Sequence, residues 1–170
     1  INRNDYHSHQ IDKRPMKYLM TENYRTQTKL SNLASGAQLF IEGARLCTET
    51  LKNNQCYPCS LGATTSARGL HLGANHLEEM LVLMTCFGRR ALCLGKADDP
   101  YASVDELSLL KDLQNLEIYP DKSVQYFAST VIHPKLLNLY LTASSQYIEK
   151  TKHQFTILSL HLVHEAAPIN

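Results

Sequence analysis

Residues 30–51 read LSNLASGAQLFIEGARLCTETL, and the spacing of their apolar positions sets the fold class. Leu30, Leu33, Ala34, Ala37, Phe40, Ile41, Ala44, Leu46, Cys47 and Leu51 return every three or four positions, the period that lines side chains along one face of an α-helix. With Thr21 as a candidate N-cap, this predicts an amphipathic helix of about thirty residues. Gly36 and Gly43 fall on one stripe of it, and each costs about 1 kcal/mol relative to Ala. They mark either a close helix contact or a kink.

Outward from this segment the same period recurs. Asn53, Asn54, Pro58, Gly62 and a Thr/Ser cluster form a long connection, and a second helix is expected from between Ala67 and Asn75 through His76, Met80, Leu83, Met84 and Phe87 to Leu94, with Gly95 as its C′ residue. The two helices suggest an antiparallel hairpin. Asp98-Asp99-Pro100 opens a third helix, from Tyr101 to Leu116, and Ser103 with Glu106 has the spacing of a capping box. Val124, Phe127, Ala128, Val131 and Ile132 share a fourth helical face, Pro134 begins a fifth helix over Lys135 to Lys150, and a sixth is expected from Lys152 to Glu165. In Phe155–Val163 a strand competes with the helix, but a lone strand has no sheet to join. The chain thus reads as all-α, a long hairpin packed with about four shorter helices whose lengths fall along the chain, irregular and at most helical-repeat-like. Residues 1–20 form an irregular arm and residues 21–167 a single domain.

At 170 residues the chain matches the roughly 100 to 200 residues of one domain. Seventeen Lys and Arg against sixteen Asp and Glu give a net charge of +1, which argues against holding nucleic acid phosphates or an anionic membrane. The strongly apolar stretch Leu77–Leu94 is broken by Glu78, Glu79, Arg89 and Arg90, so no membrane span is expected. Five cysteines are an odd number for a disulfide framework, and no glycosylation sequon occurs, which points to a reducing, intracellular compartment, cytoplasmic or nuclear. Cys47, Cys86 and Cys93 lie in apolar helical patterns and are expected to act as small buried hydrophobes. Ile1 in place of an initiator Met suggests a fragment of a larger protein.

Soft metal ligands gather at one place. Cys56-Tyr57-Pro58-Cys59 with His71 and His76 makes Cys-x2-Cys-x11-His-x4-His, one residue short of a zinc-finger spacing. Four such ligands could clip the long loop around Zn²⁺. No miniature core and no basic readout residues accompany them, and the two cysteines lack the strand-then-helix setting of a catalytic dithiol. His161 and His164 share a helical face without a third ligand, and phosphate-loop, nucleophile-elbow and zinc-protease motifs are absent. No catalytic residue, cofactor or small-molecule substrate is implied.

Recognition of another protein, or of a second copy as a homodimer, fits these features better. Lys13, Arg14, Lys17, Arg25 and Lys29 make the first thirty residues basic, whereas Asp98–Glu117 is acidic, so the two halves could attract each other within or between molecules. Tyr6, Tyr18 and Tyr24 lie among the basic residues, and tyrosine combines apolar area with a hydroxyl at modest entropic cost. Tyr6, Lys13, Arg14, Lys17, Tyr18 and Tyr24 are therefore the candidate partner-binding set. The chain reads as a non-catalytic interaction or scaffold domain that binds a partner helix or peptide. Two alternatives remain: a zinc-clipped helical domain and a secreted helical-bundle ligand.

Overall fold

The computed structural model describes residues 25–53, 73–119 and 126–152. Five helices and one two-stranded sheet make up this part, so the chain is mostly helical. Helix α1 (Ser35–Lys52) carries the apolar stripe of the opening segment, with Ala37, Phe40, Ile41, Ala44 and Cys47 fully buried. Gly36 and Gly43 are buried on it as well. The helix is shorter than its periodicity predicted. Arg25–Lys29 is strand β1, and Leu30–Asn32 a 3-10 turn; Thr26 and Thr28 alternate with exposed residues, a pattern of period two that favours the extended chain. Leu33, buried just before α1, keeps the helical spacing without belonging to the helix.

Strand β1 pairs antiparallel with β2 (Tyr101–Ser103), with Arg25 opposite Ser103 and Lys29 opposite Tyr101. Five residues thus face three, and the Thr26 hydroxyl helps close the irregularity by donating to the Ala102 carbonyl at 2.8 Å. This sheet was not foreseen, and it displaces the first three residues of the predicted third helix. Helix α3 begins instead at Val104 and runs to Ile118. Its start is the capping box read from the sequence: Ser103 Oγ accepts from the Glu106 N–H at 3.1 Å, and the Ser103 N–H donates to Glu106 Oε2 at 2.7 Å.

Helix α2 (Ala74–Cys86) buries Leu77, Met80, Leu81, Leu83 and Met84, but it stops eight residues before Leu94. At Gly88 the Met84 carbonyl oxygen occupies the place a Cβ would take, so only glycine lets the chain leave the helix there. Beyond it Leu92 and Leu94 are buried and Ala91, Cys93 and Gly95 half-buried, the alternation of an extended segment. Gly95 is accordingly no helix cap. A Cβ on it would strike the buried Arg45 guanidinium.

Helix α4 (Ala128–Val131) is a single turn, and Gly88 forms an isolated antiparallel bridge with Ile132 beside it. Helix α5 (Pro134–Thr151) starts at the predicted proline; His133 caps it, its Nδ1 accepting from the Lys135 N–H at 3.3 Å. At 18 residues α5 equals α1, so helix lengths do not fall along the chain. Helix α5 packs against α2, α3 and α4, while α1 packs against α2 and α3. Tyr147 reaches Phe40 of α1 edge to face, with ring centroids 5.7 Å apart. On α5, Tyr140 is fully buried, Leu136, Leu137, Leu141 and Ile148 pack against the core, and Leu139 is exposed. Among the described residues, no helix is long and apolar enough to cross a membrane. The predicted arm over residues 1–20, the sixth helix and the loop joining α1 to α2 lie outside the described residues.

Candidate functional site

Two regions concentrate charge: a buried network between α1 and α3, and an exposed edge around Gly88 and Ile132. In the first, Arg45 sits on the apolar stripe of α1 and is almost wholly buried. Its Nε donates to Glu106 Oε1 at 2.7 Å and its Nη2 to Glu106 Oε2 at 2.9 Å. Its remaining donors go to main-chain carbonyls: Lys96 at 2.9 Å, Asp99 at 2.6 Å and Tyr101 at 2.7 Å. A guanidinium has five N–H groups, and each has an acceptor here. Glu106 is equally complete, because the Gly95 N–H adds a bond to Oε1 at 2.8 Å and the Ser103 N–H one to Oε2 at 2.7 Å. Neither side chain keeps a free position for a substrate. Together they tie α1, the extended segment, β2 and α3 to one another.

The neighbouring acids are also bound to main chain or to arginine. Asp105, buried in the first turn of α3, takes a fork from Arg90 at 2.8 and 3.0 Å and accepts the Cys93 N–H at 2.9 Å. Asp99 accepts Arg25 Nε and Nη2 at 2.9 and 2.8 Å and the Tyr101 N–H at 3.0 Å. Burial pushes the Asp99 carboxyl up, but the bonds from Arg25 and Tyr101 and the charges of Arg25 and Arg45 outweigh it and hold it below the usual range. The basic lead-in and the acidic stretch thus meet inside one molecule at Arg25 and Asp99.

Asp112 differs from these, being buried with no ion pair among the described residues. Its two oxygens accept the N–H groups of Phe127 and Ala128, each at 2.8 Å, and so anchor the start of α4 to α3. Burial raises its carboxyl to about 6 against the pull of those two bonds and of Lys111. Burial, with the Asp112 charge nearby, also raises the Tyr126 and Tyr140 hydroxyls.

A cavity of about 420 Å³ opens between α1 and the extended segment, lined by Arg45, Thr48, Glu49, Lys52, Leu92 and Leu94 among others. Its volume would suit a small ligand, but Arg45, the one buried charge on its wall, is already saturated. Cysteine chemistry is muted. Burial, with the Glu78 charge second, pushes the Cys47 thiol far up, which fits the expected small hydrophobe; Cys86 is exposed and Cys93 half-buried, so the same expectation fails for them.

The exposed edge is built where α2 ends. Phe87 is 57% exposed, and the next residues bridge to the strap Tyr126–Ile132. The Arg89 N–H donates to the Val131 carbonyl at 2.6 Å and its Nη2 to the Ser129 carbonyl at 2.6 Å. The Arg90 guanidinium lies over the Phe127 ring, 5.1 Å from its centroid. His133 and Lys135 are exposed directly after the strap. On its other flank a groove of about 260 Å³ runs between Lys111, Asp112, Tyr126, Phe127 and Thr130.

Of the candidate metal-ligating and partner-binding residues, only His76 is described; it lies half-buried near the start of α2. Cys56, Cys59 and His71 fall outside the described residues, as do Tyr6, Lys13, Arg14, Lys17, Tyr18 and Tyr24. Among the described residues no three His, Cys, Asp or Glu side chains are grouped to hold a metal ion. Arg45 was missed, although its place between Ala44 and Thr48 on an otherwise apolar stripe signals a buried charge. Compared with protein-family models, curated proteins and solved structures, the chain gives no match.

Proposed function

We propose that this chain is a non-catalytic helical domain that recognises another protein or a second copy of itself, inside the cell. The saturation of Arg45 and Glu106 is the observation that carries this reading. A catalytic acid, base or electrostatic stabiliser needs a free bonding position aimed at the reacting atom, and the most deeply buried ion pair offers none. Asp105 is likewise engaged by Arg90 and Cys93. Exposed Phe87 beside Arg89 has the aromatic and arginine content in which interfaces are enriched. In this reading α1 and α2 are the arms of an antiparallel hairpin that supports the shorter elements.

Affinity capture from cell extract tests it, using the intact chain beside one lacking residues 1–20. The intact chain is expected to retain a specific companion, and loss of that companion on trimming assigns a share of the surface to the arm. Turnover of a small molecule, abolished by Asp112→Asn with the fold intact, would overturn the proposal. Stoichiometric Zn²⁺ in the purified protein, removable only with loss of structure, would favour a clip by Cys56, Cys59, His71 and His76 instead.

A further inference from the structure

We infer that the edge formed by Phe87, Arg89 and the strap Tyr126–Ile132 is a docking surface for an acidic peptide segment carrying an apolar anchor, an inference that rests on the interaction reading above. Charge decides the occupant. Arg89 donates only to main-chain carbonyls and Lys135 makes no ion pair among the described residues, so two cations flank the strap, while Lys111 beside it is drawn to Asp112. Two acids on this side of the molecule are already engaged. Asp105 is forked by Arg90, and Asp112 is buried beneath the strap, capping Phe127 and Ala128.

Within a chain of net charge +1 this is a local excess rather than a general one, which suits a short acidic segment better than a long phosphate backbone. The apolar anchor follows from Phe87, more than half exposed two residues before Arg89. The Phe127 ring, under Arg90, continues that surface into the groove beside Lys111. Rigidity favours recognition too, since the bridge at Gly88, the Arg89 bonds and the Asp112 cap all fix the strap before any partner arrives.

The test uses the full 170-residue chain and a fluorescein-labelled synthetic peptide of Asp and Glu around a central Leu-Phe pair, followed by anisotropy at low and high salt. Binding is expected to weaken with salt. It should fall about tenfold in Arg89→Glu/Lys135→Glu and about fivefold in Phe87→Ala. Lys135→Glu alone, whose side chain makes no hydrogen bond or ion pair among the described residues, keeps the test valid if the Arg89 change disturbs the strap, and should weaken binding in the same direction. A control, Lys150→Glu/Lys152→Glu at the far end of α5, makes the same change in net charge and should leave the affinity unchanged.

Equal weakening by that control would reduce the effect to diffuse electrostatics and overturn the site. Tighter binding of a single-stranded oligonucleotide, lost in the same edge variants, would give the edge to nucleic acid and also overturn it. A companion from extract still captured by Arg89→Glu/Lys135→Glu would sink this surface alone. Failure of the unaltered chain to retain any companion would sink the wider reading.

Discussion

Without the Glu106 carboxylate, the Arg45 guanidinium stays buried with two N–H groups, on Nε and Nη2, that face nothing. Leaving one partner of a buried pair uncompensated costs about 3–5 kcal/mol, so Glu106→Ala should lower the unfolding free energy by that amount, read from the shift of the urea midpoint. Arg45→Met/Glu106→Leu should cost much less than the sum of its single changes, because it removes both charges from the interior. Asp112 gives a second prediction, with a sign. Its carboxyl in the folded chain lies at about 6, above the ordinary 3.8, so the folded state takes up the proton first. Stability from this group is therefore full below pH 4 and lost as pH rises through 6, by about 2–3 kcal/mol at most. Relative to Asp112→Asn, the natural chain should lose stability between about pH 4 and pH 6 in thermal melts and level off above that; a parallel pair of curves would contradict the assignment. Asp112 was invisible in the sequence, because its carboxylate caps residues on a different element. Arg45 was missed although a signal for it existed, since no other long polar side chain interrupts that stripe.

At the scale of elements, local signals outlived long-range ones. The capping-box spacing of Ser103 and Glu106 marks where α3 does start, although the helix was expected from Tyr101, and Pro134 announced α5, since each works through neighbours three or four positions away. Ser103→Ala removes the bonds to the Glu106 N–H and the Cys93 carbonyl, and should cost about 1–2 kcal/mol by urea unfolding. Sheet pairing and the end of α2 were not legible, for they depend on partners far along the chain. Arg25–Lys29 is extended because Tyr101–Ser103 lies beside it, and α2 stops because Gly88 meets Ile132. Gly88→Ala should therefore cost about 1–3 kcal/mol, as the Met84 carbonyl must shift to make room. The segment Ala91–Lys96 deceived the helical reading because Leu92 and Leu94 fit a continued period about as well as an alternating one.

For the molecule as a whole, periodicity identified the helical class and much of the core, while charge patterning left open whether the acidic stretch is met within one molecule, as Asp99 is by Arg25. The candidate site was the least legible part, since the exposed edge joins the end of α2 to a strap some forty positions away, as the bond from Arg89 to Ser129 spans. Thiol labelling reads the cohesion of this interior. Under native conditions exposed Cys86 should alkylate promptly, whereas Cys47 should react only as the whole core opens, followed by peptide mass spectrometry over a urea series. Early labelling of Cys47 would show that α1 frays independently. The Arg45 network also bears on how the chain is made. Its acceptors lie at Lys96, Asp99, Tyr101 and Glu106, all translated long after α1. Until Glu106 clears the ribosome, the nascent helix carries an ion on its oily side and has to keep that side wet. A polypeptide stalled short of this point would thus expose an adhesive surface to chaperones, and only the arrival of one glutamate permits closure.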